Sequence, residues 1–197
     1  MSDLIRQAIL AGVMVGIGVV ANVTSPDRYI GAMLFSLALL TIIKCGLKLY
    51  TGKIGFFSSE NKKDLAVMLL FNLFGALIPT AGIAWCREEV LETIRAASAV
   101  KFGNGAAVLF LYGLFCGTLM FVAVYAKETV ITVFCIMVFI LSGYEHCIAD
   151  FIYLAVNFSW INGCKFLAVI AGNSAGSIAA HYLMAEQKEI KRMEREG

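Results

Sequence analysis

Long, mostly uncharged runs, two of them interrupted at mid-length by polar residues, set the narrowest limits on how this chain folds. Residues 4–23, 65–86, 103–126 and 161–185 each reach the length of about 20 mainly apolar residues that carries a helix across a bilayer. Residues 30–57 and 130–156 are also long and apolar, but each contains a break. The first carries Lys44 and Lys48 and then Leu49-Tyr50-Thr51-Gly52-Lys53. The second carries Ser142-Gly143-Tyr144-Glu145-His146-Cys147-Ile148-Ala149-Asp150. Irregular backbone at membrane depth is tolerated only where it is buried in protein or lines a cavity. The expected fold class is an all-α membrane protein with six transmembrane helices in one domain, 1–197, with helices 2 and 5 broken. A charged cytoplasmic tail is expected at 186–197.

Composition narrows the function. Hydrophobic residues make up 60% of the chain and charged residues 15%, against roughly half and a quarter in soluble domains. A net charge of +2 gives no reason to expect a nucleic-acid partner. Six cysteines lie scattered, mostly in apolar runs, with no CxxC and no Cys/His pair at metal spacing, so they read as packing thiols. No metal and no cofactor is expected. The polar stretch 87–101 reads as a short amphipathic interfacial segment. Loops on the N-terminal side hold most of the lysines and arginines, including Lys53, Lys62, Lys63 and Lys127. That bias puts both termini in the cytoplasm of a multi-pass protein of a bacterial-type inner membrane.

The two breaks are each followed by the same short pattern, Asn72-x-x-Gly75 and Asn173-x-x-Gly176. Three spans per half make the halves opposite in orientation. Broken helices at matching places of two inverted repeats point to a central permeation site. The ionisable groups at the second break are then functional candidates. His146 either satisfies the helix break or meets a permeant, and its ordinary pKa near 6.5 suits a proton-bearing role. Glu145 and Asp150 either bind freed backbone amides or pair with a cation, for which Lys44 and Lys48 are candidates. Lys101 either snorkels to water or gathers anions at a mouth. Thr51 offers a hydroxyl at the first break. Phe35, Leu39 and Phe139 read as core or gate. A membrane enzyme built on Glu145 and His146 finds no nucleophile or cofactor motif to support it.

At these residues the chain resembles the formate/nitrite transporter family. The run Gly143-Tyr144-Glu145-His146-Cys147-Ile148-Ala149-Asp150 is similar to the family's Gly-Phe-Glu-His-Ser-Ile-Ala-Asn. Leu49-Tyr50-Thr51-Gly52 resembles its Leu-Phe-Thr-Ser, and Ala171-Gly172-Asn173-Ser174-Ala175-Gly176 its Gly-Asn-x-x-Gly. The resemblance covers all six spans. It implies an aquaporin-like fold and a homopentamer in the bilayer with one pore per protomer. It also implies passage of a small monovalent anion: formate, nitrite, hydrosulfide or a short monocarboxylate.

By position, the resemblance makes His146 the central histidine, Thr51 the hydrogen-bonding threonine, Lys101 the vestibule lysine and Asn173 a pore-facing asparagine. It groups Leu39 with Phe139 at one constriction and Phe35 with Leu49 at the other. Cys147 stands for serine, Asp150 for asparagine, and Lys48 for an acidic residue of formate channel-like members. The last two changes suggest that Lys48 and Asp150 compensate each other. The expected function is an anion channel or transporter, helped by His146 and coupled to protons. An aquaporin-like channel for neutral solutes is the alternative, although Asn-Pro-Ala pairs are missing. The particular anion and the direction of transport stay open.

Overall fold

The computed structural model describes the backbone of residues 1–196 and the side chains of residues 1–185. The tail expected at 186–197 lies outside the described residues, apart from helical backbone that continues to Glu196. The described residues form helices and no strands: α1 Ser2–Thr24, α2 Arg28–Lys44, α3 Tyr50–Lys53, α4 Lys62–Cys86, α5 Glu88–Gly103, α6 Ala106–Ala126, α7 Thr129–Leu141, α8 Cys147–Val156 and α9 Trp160–Glu196. A 3-10 turn, Ile54–Phe56, extends α3. Among the described residues, α1, α4, α6 and the 160–185 part of α9 are each long and apolar enough to cross a membrane. The other two apolar runs are each split into shorter helices, α2 with α3 and α7 with α8.

The splits have a local cause. Glycine tolerates the left-handed backbone that closes a helix, because it has no Cβ to clash. Gly46 adopts φ +68 and Gly143 φ +71. After each, the next amide reaches back five residues: Leu47 N donates to Ile42 O and Tyr144 N to Phe139 O, both at 2.9 Å. At its other end α2 is capped by Asp27, whose carboxylate accepts from the amides of Tyr29 and Ile30 at 2.9 Å.

Small residues let the long helices pack closely. α1 lies against α4 and α6 against α9. A Cβ on Gly12 would strike the Asn72 carbonyl, and one on Gly117 would strike the Asn173 carbonyl. The segment expected to be amphipathic is α5, which turns Val90, Ile94, Ser98 and Phe102 inward.

α2 and α7 run antiparallel. Arg28 Nη2 donates to Leu141 O at 2.7 Å at one end of the pair, and Lys44 Nζ to Lys127 O at 3.2 Å at the other. The two breaks therefore sit at opposite ends of a helix pair that is about 25 Å long at 1.5 Å per residue.

Candidate functional site

Each break exposes backbone groups that must find partners in an apolar interior. Two asparagines supply them with one geometry. Asn72 Oδ1 accepts from Tyr50 N at 2.8 Å, while Nδ2 donates to Lys48 O and Ala8 O at 2.8 Å. Asn173 Oδ1 accepts from Cys147 N at 2.9 Å, while Nδ2 donates to Glu145 O and Gly113 O at 2.8 Å. Both residues are fully buried. The expectation for Asn173 is a pore-facing side chain. Both of its N–H groups and its carbonyl oxygen are engaged with protein backbone, and it lines neither cavity described below, so the role its contacts show is to clamp the break.

The clamped segments meet. Thr51 Oγ1 lies 2.9 Å from His146 Nε2, and both residues are buried. His146 is also the N-cap of α8, its Nδ1 accepting from Ala149 N at 3.4 Å. With Nδ1 as acceptor, a neutral ring carries its hydrogen on Nε2 and donates it to Thr51. The Thr51 hydroxyl hydrogen is then free for another acceptor. Ser177, deeper in α9, donates to Thr51 O at 3.3 Å and to Gly117 O at 2.8 Å, which fixes the threonine backbone.

A cavity of about 540 Å³ opens on one side of this pair. Its walls include His146, Phe35, Phe139, Lys101, Glu145 and Asp150. The Phe139 ring stacks on the imidazole at 5.8 Å, and Phe35 meets Phe139 edge-on at 5.9 Å. Phe35 and Phe139 thus form one apolar ring together, where the expectation had paired Phe35 with Leu49. The antiparallel crossing of α2 and α7 brings the two rings together. Leu49 lines a second cavity, of about 310 Å³, at the other break. Leu39 is fully buried and lines neither cavity.

Lys101 enters the first cavity from α5. Its Nζ pairs with Glu145 and with Asp150, the latter at 3.2 Å, and lies 5.2 Å from the centre of the Tyr153 ring. The two carboxylates are buried, while the lysine side chain keeps 24% of its surface exposed. Buried charges persist only when paired, because desolvating an ion costs several kcal/mol. Here two carboxylates face one ammonium, and Asp150 Oδ2 is left without a hydrogen-bond partner.

The expected pairing of Lys48 with Asp150 is replaced by this arrangement. Lys48 sits at the α2–α3 break, and its ammonium joins no ion pair among the described residues, whereas Asp150 lies on α8 by the opposite mouth. Sequence reasoning also passed over Tyr153. Its spacing of three from Asp150, one helical turn, was the signal that could have placed it beside Lys101.

The sequence model described as formate/nitrite transporter matches residues 1–185. Among curated relatives, the nitrite transporter NirC of Escherichia coli is 27% identical over 192 residues, covering 83% of this chain and 70% of that protein. NirC of Salmonella typhimurium is 27% identical over 193 residues with the same coverage. Among solved structures, an FNT family ion channel superposes with a TM-score of 0.83 at 22% identity, covering 94% of this chain and 90% of that one. A pentameric formate channel with formate bound gives 0.78 at 19% identity, covering 96% and 97%. Both structures share this fold.

Proposed function

The chain belongs to the formate/nitrite transporter family of multi-pass membrane proteins, and on that premise we propose that it carries a small monovalent anion past His146 with the help of a proton. Membership sets aside the enzyme reading, since the matched relatives are transporters and channels. Six spans follow if α2 with α3 and α7 with α8 each count as one. The twin asparagine clamps and twin glycine stops support reading the spans as two inverted repeats around one aquaporin-like pore per protomer. The pentameric neighbour supports a homopentamer. The basic loops support cytoplasmic termini in a bacterial-type inner membrane.

The single observation that carries the mechanism is the buried Thr51–His146 contact between two cavities at opposite ends of α2 and α7. An anion alone in an apolar ring pays several kcal/mol or more for lost hydration. Between the cavities, the Thr51 hydroxyl hydrogen, left free because Thr51 accepts from His146 Nε2–H, offers it a donor, and the positive end of α8 adds a favourable field. A proton that enters from bulk water, directly or through a transient imidazolium at His146 that returns to the neutral ring, converts it to the neutral acid. The neutral acid then passes Phe35 and Phe139 at far lower cost. Leu49, at the edge of the second cavity, acts as the apolar restriction on the other side of Thr51. Lys101 meets the anion at the first mouth, its pull offset by Glu145 and Asp150.

The test is formate uptake into proteoliposomes over a range of pH, for the unaltered protein and for His146→Asn. Uptake should rise as pH falls, and the variant should lose that rise and about tenfold of the rate. Identical pH profiles would remove His146 from the proton step. Glycerol or water flux without formate flux would favour the neutral-solute channel.

A further inference from the structure

The second cavity is the other end of the proposed passage, but its uncompensated lysines exceed what a monovalent anion needs. It opens at the α2–α3 break and is lined by Lys44, Lys53 and Lys127, with Leu49 and Gly52 on its inner side. Lys48 and Lys127 both lie within electrostatic reach of Lys53. None of these four ammoniums pairs with a carboxylate among the described residues. Lys44 is instead turned onto the backbone carbonyl of Lys127. Lys127 itself holds φ 58, a left-handed conformation that residues with a Cβ seldom adopt. That conformation ends α6, whose C-cap is Lys127.

The opposite mouth shows what compensation looks like in this fold: Lys101 there faces two carboxylates. Three like charges line the cavity, with Lys48 close by; they repel each other, and an occupant of opposite charge relieves them. A monovalent anion neutralises one of the three. A divalent phosphate-type oxyanion neutralises two and brings several acceptor oxygens to ammoniums that act as point-charge ligands. The cavity's 310 Å³ holds such a group with water to spare.

We infer that this cavity binds a divalent phosphate-type oxyanion, and that the bound anion blocks the passage from that end. Leu49 and Gly52 flank Thr51 in sequence, so an occupant stands between the mouth and the Thr51–His146 pair. The binding half of the inference needs only the lysines; the block rests on the proposed transport. The phosphate group has two possible sources, free inorganic phosphate and the headgroup of an anionic lipid.

Titration calorimetry of the full-length protein in a neutral detergent separates these. Inorganic phosphate and short-chain phosphatidic acid are each added at fixed ionic strength, with formate as the monovalent control. At least one phosphate compound should bind at millimolar concentration or below. The double substitution Lys53→Gln with Lys127→Gln should weaken it tenfold or more, and formate should bind at least tenfold more weakly at this site. Phosphatidic acid binding without inorganic phosphate assigns the headgroup as source. Binding of neither, or binding unchanged in the double variant, overturns the site.

In proteoliposomes, the compound that binds should slow formate flux when present on the side of this mouth, with half-inhibition near its Kd. Formate flux that ignores it overturns the block. Absence of any formate flux, with phosphate still bound in detergent, defeats the transport reading alone.

Discussion

Thr51 Oγ1 and His146 Nε2 stand 2.9 Å apart across 95 residues of sequence, with His146 lining one cavity and Leu49 and Gly52, next to Thr51 in the chain, lining the other. The contact joins α3 to the start of α8, so each broken helix places one donor at the centre. Replacing Thr51 with valine keeps the shape and removes the hydroxyl. A hydrogen bond to a charged group contributes about 1.5–3 kcal/mol, so formate flux should fall by roughly tenfold or more. Thr51→Ser should keep most of it. Stopped-flow uptake in proteoliposomes, with equal amounts of folded protein, reads the difference.

The asparagine clamps lead to a prediction about stability. Asn173→Ala removes a fully buried carboxamide and leaves Cys147 N and Glu145 O without their partner, while Gly113 O, inside α6, keeps its helix bond. Each stranded group costs about 1–3 kcal/mol. The loss should be at least about 2 kcal/mol, seen as a lower thermal midpoint in detergent or as failure to fold. Asn72→Ala should behave alike, because it strands Tyr50 N and Lys48 O in the same way. A mild effect of Asn173→Ala on melting, with a large one on flux, would return Asn173 to the pore.

What the sequence showed and what it hid divide along one physical line. Apolar run length marks where helices lie and Gly143 marks where one of them stops, because both signals are local; the first break, expected at residues 49–53, falls instead at Gly46, and Tyr50–Lys53 is helix α3. The broken motif around His146 was legible for the same reason. The partner of Asp150 was not. Lys48 and Lys101 are equally basic in sequence, and only the crossing of α5 over α8 brings Lys101 to the carboxylates. Phe35 and Leu49 were assigned together, yet the antiparallel packing of α2 on α7 gives Phe35 to Phe139 instead. The resemblance implies a pore-facing Asn173; what only the folded chain shows is that its carboxamide holds the backbone of the neighbouring break.

The Lys101 site should respond asymmetrically to its partners. Lys101→Met leaves Glu145 and Asp150 buried without a cation, and breaking a buried pair from one side costs about 3–5 kcal/mol. Adding Asp150→Asn should recover part of that loss, whereas Lys48→Ala should add to it independently, with no coupling beyond about 0.5 kcal/mol. Double-mutant cycles on thermal or denaturant unfolding measure both. Strong coupling of Lys48 to Asp150 would restore the pairing that the geometry replaces.

Asp150→Asn alone also bears on uptake. It removes one negative charge from the wall of the first cavity while Glu145 still pairs with Lys101. At an effective dielectric near 20, a unit charge about 15 Å from the incoming anion alters its energy by about 1 kcal/mol, or roughly fivefold in apparent affinity. The KM for formate should fall by about that factor, and the drop should shrink in high salt, where charges near an open mouth are screened. A KM that stays fixed at low salt would mean the anion does not meet the field of this site on its way to His146.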